Sequence, residues 1–191
     1  MTTTIKSGNK GYEEMKAFTV FAVVLSALPI CTSAFGAPAA SKEGTARAEL
    51  HDAAGREVGT ASVRQVGSRI RVRVDGANLP PGTHGVHVHQ AGSCTAPDFS
   101  SAGPHWNPTN AQHGHRNPAG SHSGDLPNLV VGQNGRGTLE YTIAGARLTG
   151  GDTAMLDAKD GASIVIHSAL DDYRTDPSGN SGARIACGVL R

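Results

Sequence analysis

The chain has 191 residues, of which 38% are hydrophobic and 17% are charged, and its formal net charge is +1. This length and composition predict a single globular domain with a hydrophobic core. No run of Lys or Arg forms a basic patch or stripe, so we do not expect the protein to bind nucleic acid.

The first forty residues have the pattern of a secretory signal peptide. Lys16 precedes the apolar run AFTVFAVVLSALPIC, and the small residues of TSAFGAPAA follow it. The run is too short to span a bilayer comfortably, so no transmembrane anchor is expected. We assign residues 1–36 to the signal peptide, with cleavage after Gly36 and a cut after Ala39 as the second choice. Residues 37–44 are then expected to form a flexible segment before the domain.

Two details of this N-terminal region leave alternatives open. The acidic residues Glu13 and Glu14 are unusual in the first part of a signal peptide, which makes Met15 a candidate for the true translation start. A lipoprotein signal ending at Cys31 is disfavoured by the large Ile30 directly before it.

Cleavage after Gly36 leaves 14 basic and 14 acidic residues and two cysteines, Cys94 and Cys187. An even pair of cysteines in an exported protein predicts a disulfide between them, with free buried thiols as the alternative. The disulfide would close a loop of roughly ninety residues, which the chain-entropy model values at about 4 to 5 kcal/mol.

From Thr45 onward the chain shows short segments in which polar and apolar residues alternate. The segments ARAELHD, EVGTASVRQV and SRIRVRVD are separated by turn residues, which predicts antiparallel strands joined by hairpins. In the third segment aliphatic residues alternate with Arg69, Arg71 and Arg73. One face of that strand is therefore expected to lie in the core, and the three arginines to face solvent.

Further strands are predicted after this region. HGVHVH forms one, LPNLVVGQNGRGTLEYTI another hairpin, SIVIH a buried strand, and RIACGVL the last strand after a polar loop at 168–183. No segment predicts a long amphipathic helix. The expected fold over residues 45–191 is all-β, a Greek-key β-sandwich or barrel of about eight antiparallel strands with two long functional loops.

Seven of the nine histidines lie between His84 and Asp125. In the strand HGVHVH, His87 and His89 are two residues apart, so both imidazoles leave the same face. Two neighbouring nitrogen ligands on a rigid strand suit copper or zinc. His84 has the opposite parity and is expected to make a buried structural hydrogen bond.

The segment from Gln90 to Asp125 has no helical or strand period, and loops of this length are usually functional or disordered. A cation could order it, because three histidines and one carboxylate complete a four-coordinate zinc site. Its candidate ligands are His105, His113, His115, His122 and Asp125. His115 is expected to be an exposed neighbour.

Five motifs in order, HGVHVHQAGSC, AGPHWNP, HSGDLPNL, IVIHSALDD and GARIACGV, closely resemble the secreted bacterial copper/zinc superoxide dismutases over about residues 45–191. The resemblance implies one copper and one zinc ion per subunit. It implies that copper is bound by His87, His89, His105 and His167. It implies that zinc is bound by His105, His113, His122 and Asp125, with His105 bridging the two ions.

The same resemblance assigns roles around these ligands. Asp171 would accept hydrogen bonds from His87 and His113 and so fix their orientation. Arg184 would attract and orient the superoxide anion. Copper would cycle between two oxidation states while His105 delivers a proton to the departing peroxide, and zinc would be structural. The loop after His167 has no lysine, so Arg174 is the candidate there for steering the anion.

We therefore expect an exported enzyme of the bacterial periplasm that protects the cell envelope from superoxide. The alternative is a non-catalytic copper/zinc-binding or copper-handling protein on the same fold. Such proteins tend to lose a copper ligand or the arginine, whereas this sequence keeps both. A structural adhesion domain would give no reason for the histidine content. The oligomeric state stays open, with a homodimer as one option.

Overall fold

The computed structural model describes residues 44–151, 154–157 and 160–191. The signal peptide predicted at 1–36 lies outside the described residues, as does the segment predicted at 37–44 except for Gly44. In the part of the chain that is described, no helix has the length and hydropathy needed to cross a membrane.

The described residues form nine strands: β1 Thr45–Asp52, β2 Glu57–Val66, β3 Arg69–Gly76, β4 Gly82–His84, β5 Val86–His89, β6 Leu129–Val131, β7 Gly137–Ala144, β8 Ser163–His167 and β9 Arg184–Val189.

Seven strands form one antiparallel sheet in the order β5-β8-β9-β1-β2-β3-β7, and β4 pairs with β6 in a second, small sheet. Strands β1, β2 and β3 follow one another as hairpins, and β5 then lies at the opposite edge of the sheet beside β8. This long crossing is a Greek-key connection. The prediction of an all-β Greek-key fold is confirmed.

The histidine segment forms two strands where the sequence predicted one, because the backbone changes partners at Gly85. His84 pairs with β6, whereas Val86 pairs with β8. Between them, the Gly85 N–H donates to the carbonyl of Ala169, and the Gly85 carbonyl accepts from His167 N–H. This break raises the number of strands from about eight to nine.

The hairpin predicted from LPNLVV to GTLEYTI is wrong in its pairing. The turn forms, with the Gly132 N–H donating to the Arg136 carbonyl at 2.9 Å. After the turn, however, the two strands pair with different partners, β6 with β4 and β7 with β3. A turn signal predicts where the chain reverses, but here β7 completes its ladder along all eight residues of β3.

The large sheet curls around one hydrophobic core. Val72 and Val74 of β3 belong to the same buried cluster as Val86 and Val88 of β5, although β3 and β5 lie near opposite ends of the sheet. Fully burying side chains of this size stabilises the fold by roughly 1.5 to 3 kcal/mol each. The arginines that alternate with the β3 valines are exposed, as predicted.

Two long connections cover one end of this barrel. We call residues 90–128, between β5 and β6, the first loop, and residues 168–183, between β8 and β9, the second loop. The first loop is attached to the barrel by Trp106, which is buried in the main core, and by the predicted disulfide from Cys94 to Cys187 of β9. The Cα atoms of the two cysteines lie 5.6 Å apart.

Candidate metal centre

The backbone of the first loop runs beside β5 and brings its ligands to the strand histidines. Trp106 N–H donates to the Val88 carbonyl, and Val88 N–H donates to the Gly124 carbonyl, both at 2.8 Å. A Cβ atom on Gly124 would lie 2.4 Å from the Val88 carbonyl oxygen, so only glycine allows this approach. His105 and Asp125 are therefore held next to the histidines of β5.

The first histidine cluster consists of His87, His89, His105 and His167. All four are buried, and one nitrogen from each lies within 4.8 Å of the others. His87 and His89 come from β5, His105 from the first loop and His167 from the end of β8. The structure thus brings together the four residues expected to bind copper.

Three nitrogens of this cluster are buried without a hydrogen-bond partner among the described residues: His87 Nδ1, His89 Nε2 and His167 Nε2. The other nitrogen of each ring faces an acceptor: Asp171 Oδ2 at 2.9 Å for His87, the Gly103 carbonyl at 2.8 Å for His89, and the Gly182 carbonyl at 3.2 Å for His167. These acceptors fix the tautomers and leave three lone pairs directed into one buried space.

Burial keeps these imidazoles neutral. Desolvation lowers the pKa of His87 to about 3 and that of His167 to about 4, and it lowers the pKa of His89 as well. A histidine must be deprotonated to bind a metal ion. Buried, unpartnered lone pairs on neutral imidazoles are costly unless a cation binds them, so this donor set fits copper.

The second cluster consists of His105, His113, His122 and Asp125. The Nδ1 atoms of its three histidines converge on Asp125 Oδ1, at 2.9 Å for His105, 3.0 Å for His113 and 3.2 Å for His122. One nitrogen of His87 also lies within 4.8 Å of three of these donors. We assign His87 to the first cluster, because its Nδ1 has no hydrogen-bond partner in the described part of the chain, whereas its Nε2 is hydrogen-bonded to Asp171. Three histidines and one carboxylate fit zinc.

His105 belongs to both clusters. Its Nδ1 faces Asp125, which leaves Nε2 available to the first cluster. Its ring stacks on that of His87, with 3.9 Å between the centroids. Burial lowers the pKa of His105, although the Asp125 carboxylate opposes this shift. The position is the one expected for a bridging imidazole.

Asp171 of the second loop connects the two clusters. Its Oδ2 accepts from His87 Nε2 at 2.9 Å, and its Oδ1 accepts from His113 Nε2 at 3.0 Å. Burial opposes ionisation, but these hydrogen bonds hold the pKa of Asp171 well below its usual value. One carboxylate therefore orients a ligand of each cluster.

His113 lies between two carboxylates, those of Asp125 and Asp171. Burial opposes its protonation, but Asp125 and Asp171 raise its pKa to about 9. Asp125 is itself held ionised, because its hydrogen bonds to three histidines outweigh its desolvation.

A cleft of about 630 Å³ opens over the first cluster. Its wall includes His89, His105 and His167 together with Arg184. The Arg184 guanidinium is half-buried, and it donates to the Phe99 carbonyl at 2.6 Å and to the Gly103 carbonyl at 2.8 Å. The Gly103 carbonyl also accepts from His89, so one backbone oxygen positions both the arginine and a metal ligand.

A family model described as copper/zinc superoxide dismutase matches residues 57–190. The chain belongs to this family. A Cu-Zn superoxide dismutase 2 from Aquifex aeolicus is 38% identical over 152 residues, which is 79% of this chain and 89% of that protein. A Cu-Zn superoxide dismutase from Caulobacter vibrioides is 39% identical over 140 residues, 72% of this chain and 80% of that one.

Structural comparison agrees with this assignment. The crystal structure of a superoxide-dismutase-like protein from Bacillus subtilis has a TM-score of 0.72 and 40% identity, and the match covers 78% of this chain and 99% of that chain. Family membership and the Cu-Zn relatives support classing this chain as an oxidoreductase of the superoxide dismutase type.

Two predictions about this dismutase domain concerned residues near the ligands. His84 is buried, with Nδ1 2.7 Å from the His167 carbonyl and Nε2 2.8 Å from the Pro80 carbonyl, and the nitrogen that carries the proton donates a structural hydrogen bond, as expected. His115 is exposed and lies beside the rings of Tyr141 and Tyr173. Neither belongs to a metal cluster.

Arg174 does not line the cleft of this superoxide dismutase. It is exposed, and its Nη1 lies 3.4 Å from the Arg116 carbonyl on the first loop. The second-loop charge that does reach the cleft is the carboxylate of Asp176. The hypothesis that Arg174 steers the anion is therefore not supported by its position.

Sequence reasoning missed several groups that complete the site. The Gly103 and Gly182 carbonyls orient histidines but are backbone groups, which no residue pattern reveals. Asn128 holds Asp171 with two hydrogen bonds, to its N–H and its carbonyl, and Asp176 accepts from the His113 N–H. Only the polar character of the two loops indicated such contacts.

Proposed function

We propose that this protein converts superoxide to dioxygen and hydrogen peroxide. The observation that carries the proposal is a set of three buried, unpartnered imidazole nitrogens below a cleft that also holds Arg184. Copper held by His87, His89, His105 and His167 would accept an electron from one superoxide and return it to a second. Zinc held by His105, His113, His122 and Asp125 would have a structural role.

Arg184 binds and orients the substrate in this proposal. A guanidinium carries a permanent positive charge and can donate two parallel hydrogen bonds to a small anion. The carbonyls of Phe99 and Gly103 hold it at the wall of the cleft before the anion arrives. No reorganisation of the arginine is then needed when superoxide enters.

His105 handles the proton. Its Nδ1 faces Asp125, so a proton carried on Nε2 would lie on the side of the cleft, where peroxide leaves. Burial lowers the pKa of His105, which favours transfer of a proton from its ring to an acceptor. The residue can therefore deliver one proton per cycle to the product.

A non-catalytic copper-handling role is the second candidate. It is favoured by the Bacillus subtilis relative, which is 40% identical and is named only as superoxide-dismutase-like. All four histidines form one cluster, and three of them, His89, His105 and His167, line a cleft together with Arg184, which favours the enzyme for this chain.

The deciding experiment measures superoxide dismutation by the purified protein after loading with copper and zinc. A metal-free sample and the His167→Ala variant serve as controls. We expect fast, copper-dependent activity that the variant loses. A protein that binds one copper and one zinc, with its disulfide formed, but shows no more activity than free copper would establish the copper-handling role instead.

We also propose that the protein acts in the bacterial periplasm, where it protects the envelope. The N-terminal signal pattern and the Cys94–Cys187 disulfide support export, because such disulfides persist in oxidising compartments. Cell fractionation should place the protein in the periplasm, and N-terminal sequencing should find Ala37 or Ala40 as its first residue. Recovery of the uncleaved chain from the cytoplasm would contradict export.

A further inference from the structure

The ring nitrogens of the metal-site histidines follow one rule. In His87, His89, His113 and His167, the nitrogen that faces away from the metal space lies 2.8 to 3.2 Å from an oxygen acceptor. His105 directs its two nitrogens to the two clusters. The remaining ligand is His122, whose Nδ1 faces Asp125 and whose Nε2 faces the other way.

The carboxylate of Asp176, in the second loop, faces this nitrogen. The distance from His122 Nε2 to Asp176 Oδ1 is 3.9 Å, which is about 1 Å longer than a hydrogen bond. The same oxygen accepts from the backbone N–H of His113 at 2.6 Å. Asp176 is therefore anchored at one ligand of the second cluster and directed toward another.

We propose that Asp176 is a positioning residue for zinc, which accepts the Nε2 proton of His122 and so leaves the Nδ1 lone pair for the metal. The inference rests on the zinc site of the proposed function. A displacement of about 1 Å brings the pair to the ordinary N–H···O distance of about 2.9 Å. The Asp176 side chain is 49% exposed, so it has room to move.

With this assignment, each of the two non-bridging zinc histidines has a carboxylate partner in the second loop. Asp171 is the partner of His113, and Asp176 is the partner of His122. Carboxylate partners of this kind raise the basicity of the ligand and fix its ring. Removing one typically lowers metal affinity by about 10- to 100-fold. We expect a loss of zinc affinity in that range for Asp176→Ala.

Asp172 provides a matched control in the same loop. Its carboxylate accepts hydrogen bonds from Thr175 and Asn180 and from the N–H of Arg174, so it organises the loop without contacting a metal ligand. Asp172→Ala should loosen the second loop but should not remove any contact of His122. Asp176→Asn keeps an oxygen acceptor and should retain more zinc affinity than Asp176→Ala.

The experiment measures zinc affinity of the full chain by competition with a chelator and, separately, the visible spectrum of cobalt(II) bound in place of zinc. We expect Asp176→Ala to weaken zinc binding 10- to 100-fold and to change the cobalt spectrum, with partial rescue in Asp176→Asn. Wild-type affinity in Asp176→Ala would overturn the inference. Equal losses in Asp172→Ala with an unchanged cobalt spectrum would also overturn it, since Asp176 would then act only through loop order.

A second test uses the wild-type protein alone and observes the Nε2 proton of His122. In the zinc-loaded protein, the Nε2 proton of His122 should be observed by NMR as slowly exchanging, because it is bound to Asp176. Rapid exchange of that proton would overturn the inference while leaving the zinc site intact. Failure of the wild type to bind zinc at all would instead overturn the proposed function, and this inference with it.

Discussion

At the scale of single residues, Arg184 is the only arginine among the described residues that shares the cleft with the copper histidines. Arg184→Ala should lower kcat/KM for superoxide by about tenfold or more, because the fixed charge that concentrates and orients the anion is lost. Arg184→Lys keeps the charge but loses the planar pair of donors, so an intermediate value is expected. Pulse radiolysis at several salt concentrations measures both effects.

Arg174→Ala is the matched control for this prediction, since Arg174 lies outside the cleft. It should leave kcat/KM nearly unchanged. An equal loss in the two alanine variants would show that the steering charge is distributed over the second loop.

The buried histidines predict how the metal-free protein responds to acid. His87 and His167 have pKa values lowered by burial to about 3 and about 4, against 6.5 in the unfolded chain. Their contribution to stability is therefore present above pH 6.5 and is lost as the pH falls toward 4, by about 1.4 kcal/mol per pH unit for each histidine. The raised pKa of His113 does not act in this window, because its contribution is already complete below pH 6.5.

Urea unfolding of the metal-free protein between pH 7 and pH 4 measures this slope. His167→Gln removes one titrating group. It should therefore remove about half of the slope that His87 and His167 contribute together. A stability independent of pH over this range would contradict the burial of neutral imidazoles.

Individual ligands were predictable from the sequence because their spacing carries information. His87 and His89 stand two apart in an alternating strand, and His105 and His122 lie within motifs that resemble the family. The partners of these rings were less predictable. A carbonyl such as that of Gly103 exists at every position, and only the folded loop shows which carbonyl meets His89.

At the scale of elements, the second loop depends on a close approach at Gly179. A Cβ atom there would lie 1.8 Å from Asp171 Oδ1 and 2.8 Å from His113 Nε2, and φ is +64°. Gly179→Ala should displace Asp171 and thereby weaken the orientation of His87 and His113. We expect the affinities for both metals to fall by about tenfold or more.

Gly145→Ala is a matched control, because Gly145 has a similar φ of +66° and nothing within 4 Å of an added Cβ. It should cost only the backbone strain of a left-handed alanine, about 1 kcal/mol, with metal affinities unchanged. Chelator competition and urea unfolding separate the two effects. Similar metal affinities in the two variants would contradict the role given to Gly179.

Strand positions were predicted well at this scale, and strand partners were predicted less well. The alternation of β3 gave its buried and exposed faces directly. The pairing of β6 with β4 and of β7 with β3 was missed because turn residues report only a local reversal. Which ladder a strand joins is decided by contacts distant in sequence, such as the core shared by β3 and β5.

At the scale of the whole molecule, the barrel and the two loops are stabilised by different means. The barrel has a continuous buried core, in which Leu50, Ile70 and Ile164 are completely inaccessible to solvent. The loops pack few apolar side chains, apart from Trp106 and Leu126 in the main core and a small group around Phe99 beside the disulfide. Polar contacts also hold them, such as the His113 N–H to Asp176 between the two loops and the Gly114 N–H to Asp125 within the first loop.

Removing zinc should therefore loosen the loops and leave the barrel folded. Zinc present at 1,000 times its dissociation constant stabilises the folded protein by about 4 kcal/mol. Its removal withdraws this stabilisation from the first loop, which supplies all four proposed ligands, and loosens the second loop, whose Asp171 and Asp176 hydrogen-bond to His113. Amide hydrogen exchange should accelerate in residues 105–125 and 168–183 and stay unchanged in β1, β2 and β3. The Cys94–Cys187 disulfide should keep the start of the first loop protected, because that segment is tied to β9 independently of metal. Mass spectrometry of exchange in matched zinc-loaded and zinc-free samples tests this, and a uniform acceleration across barrel and loops would show that metal and core stabilise a single cooperative unit.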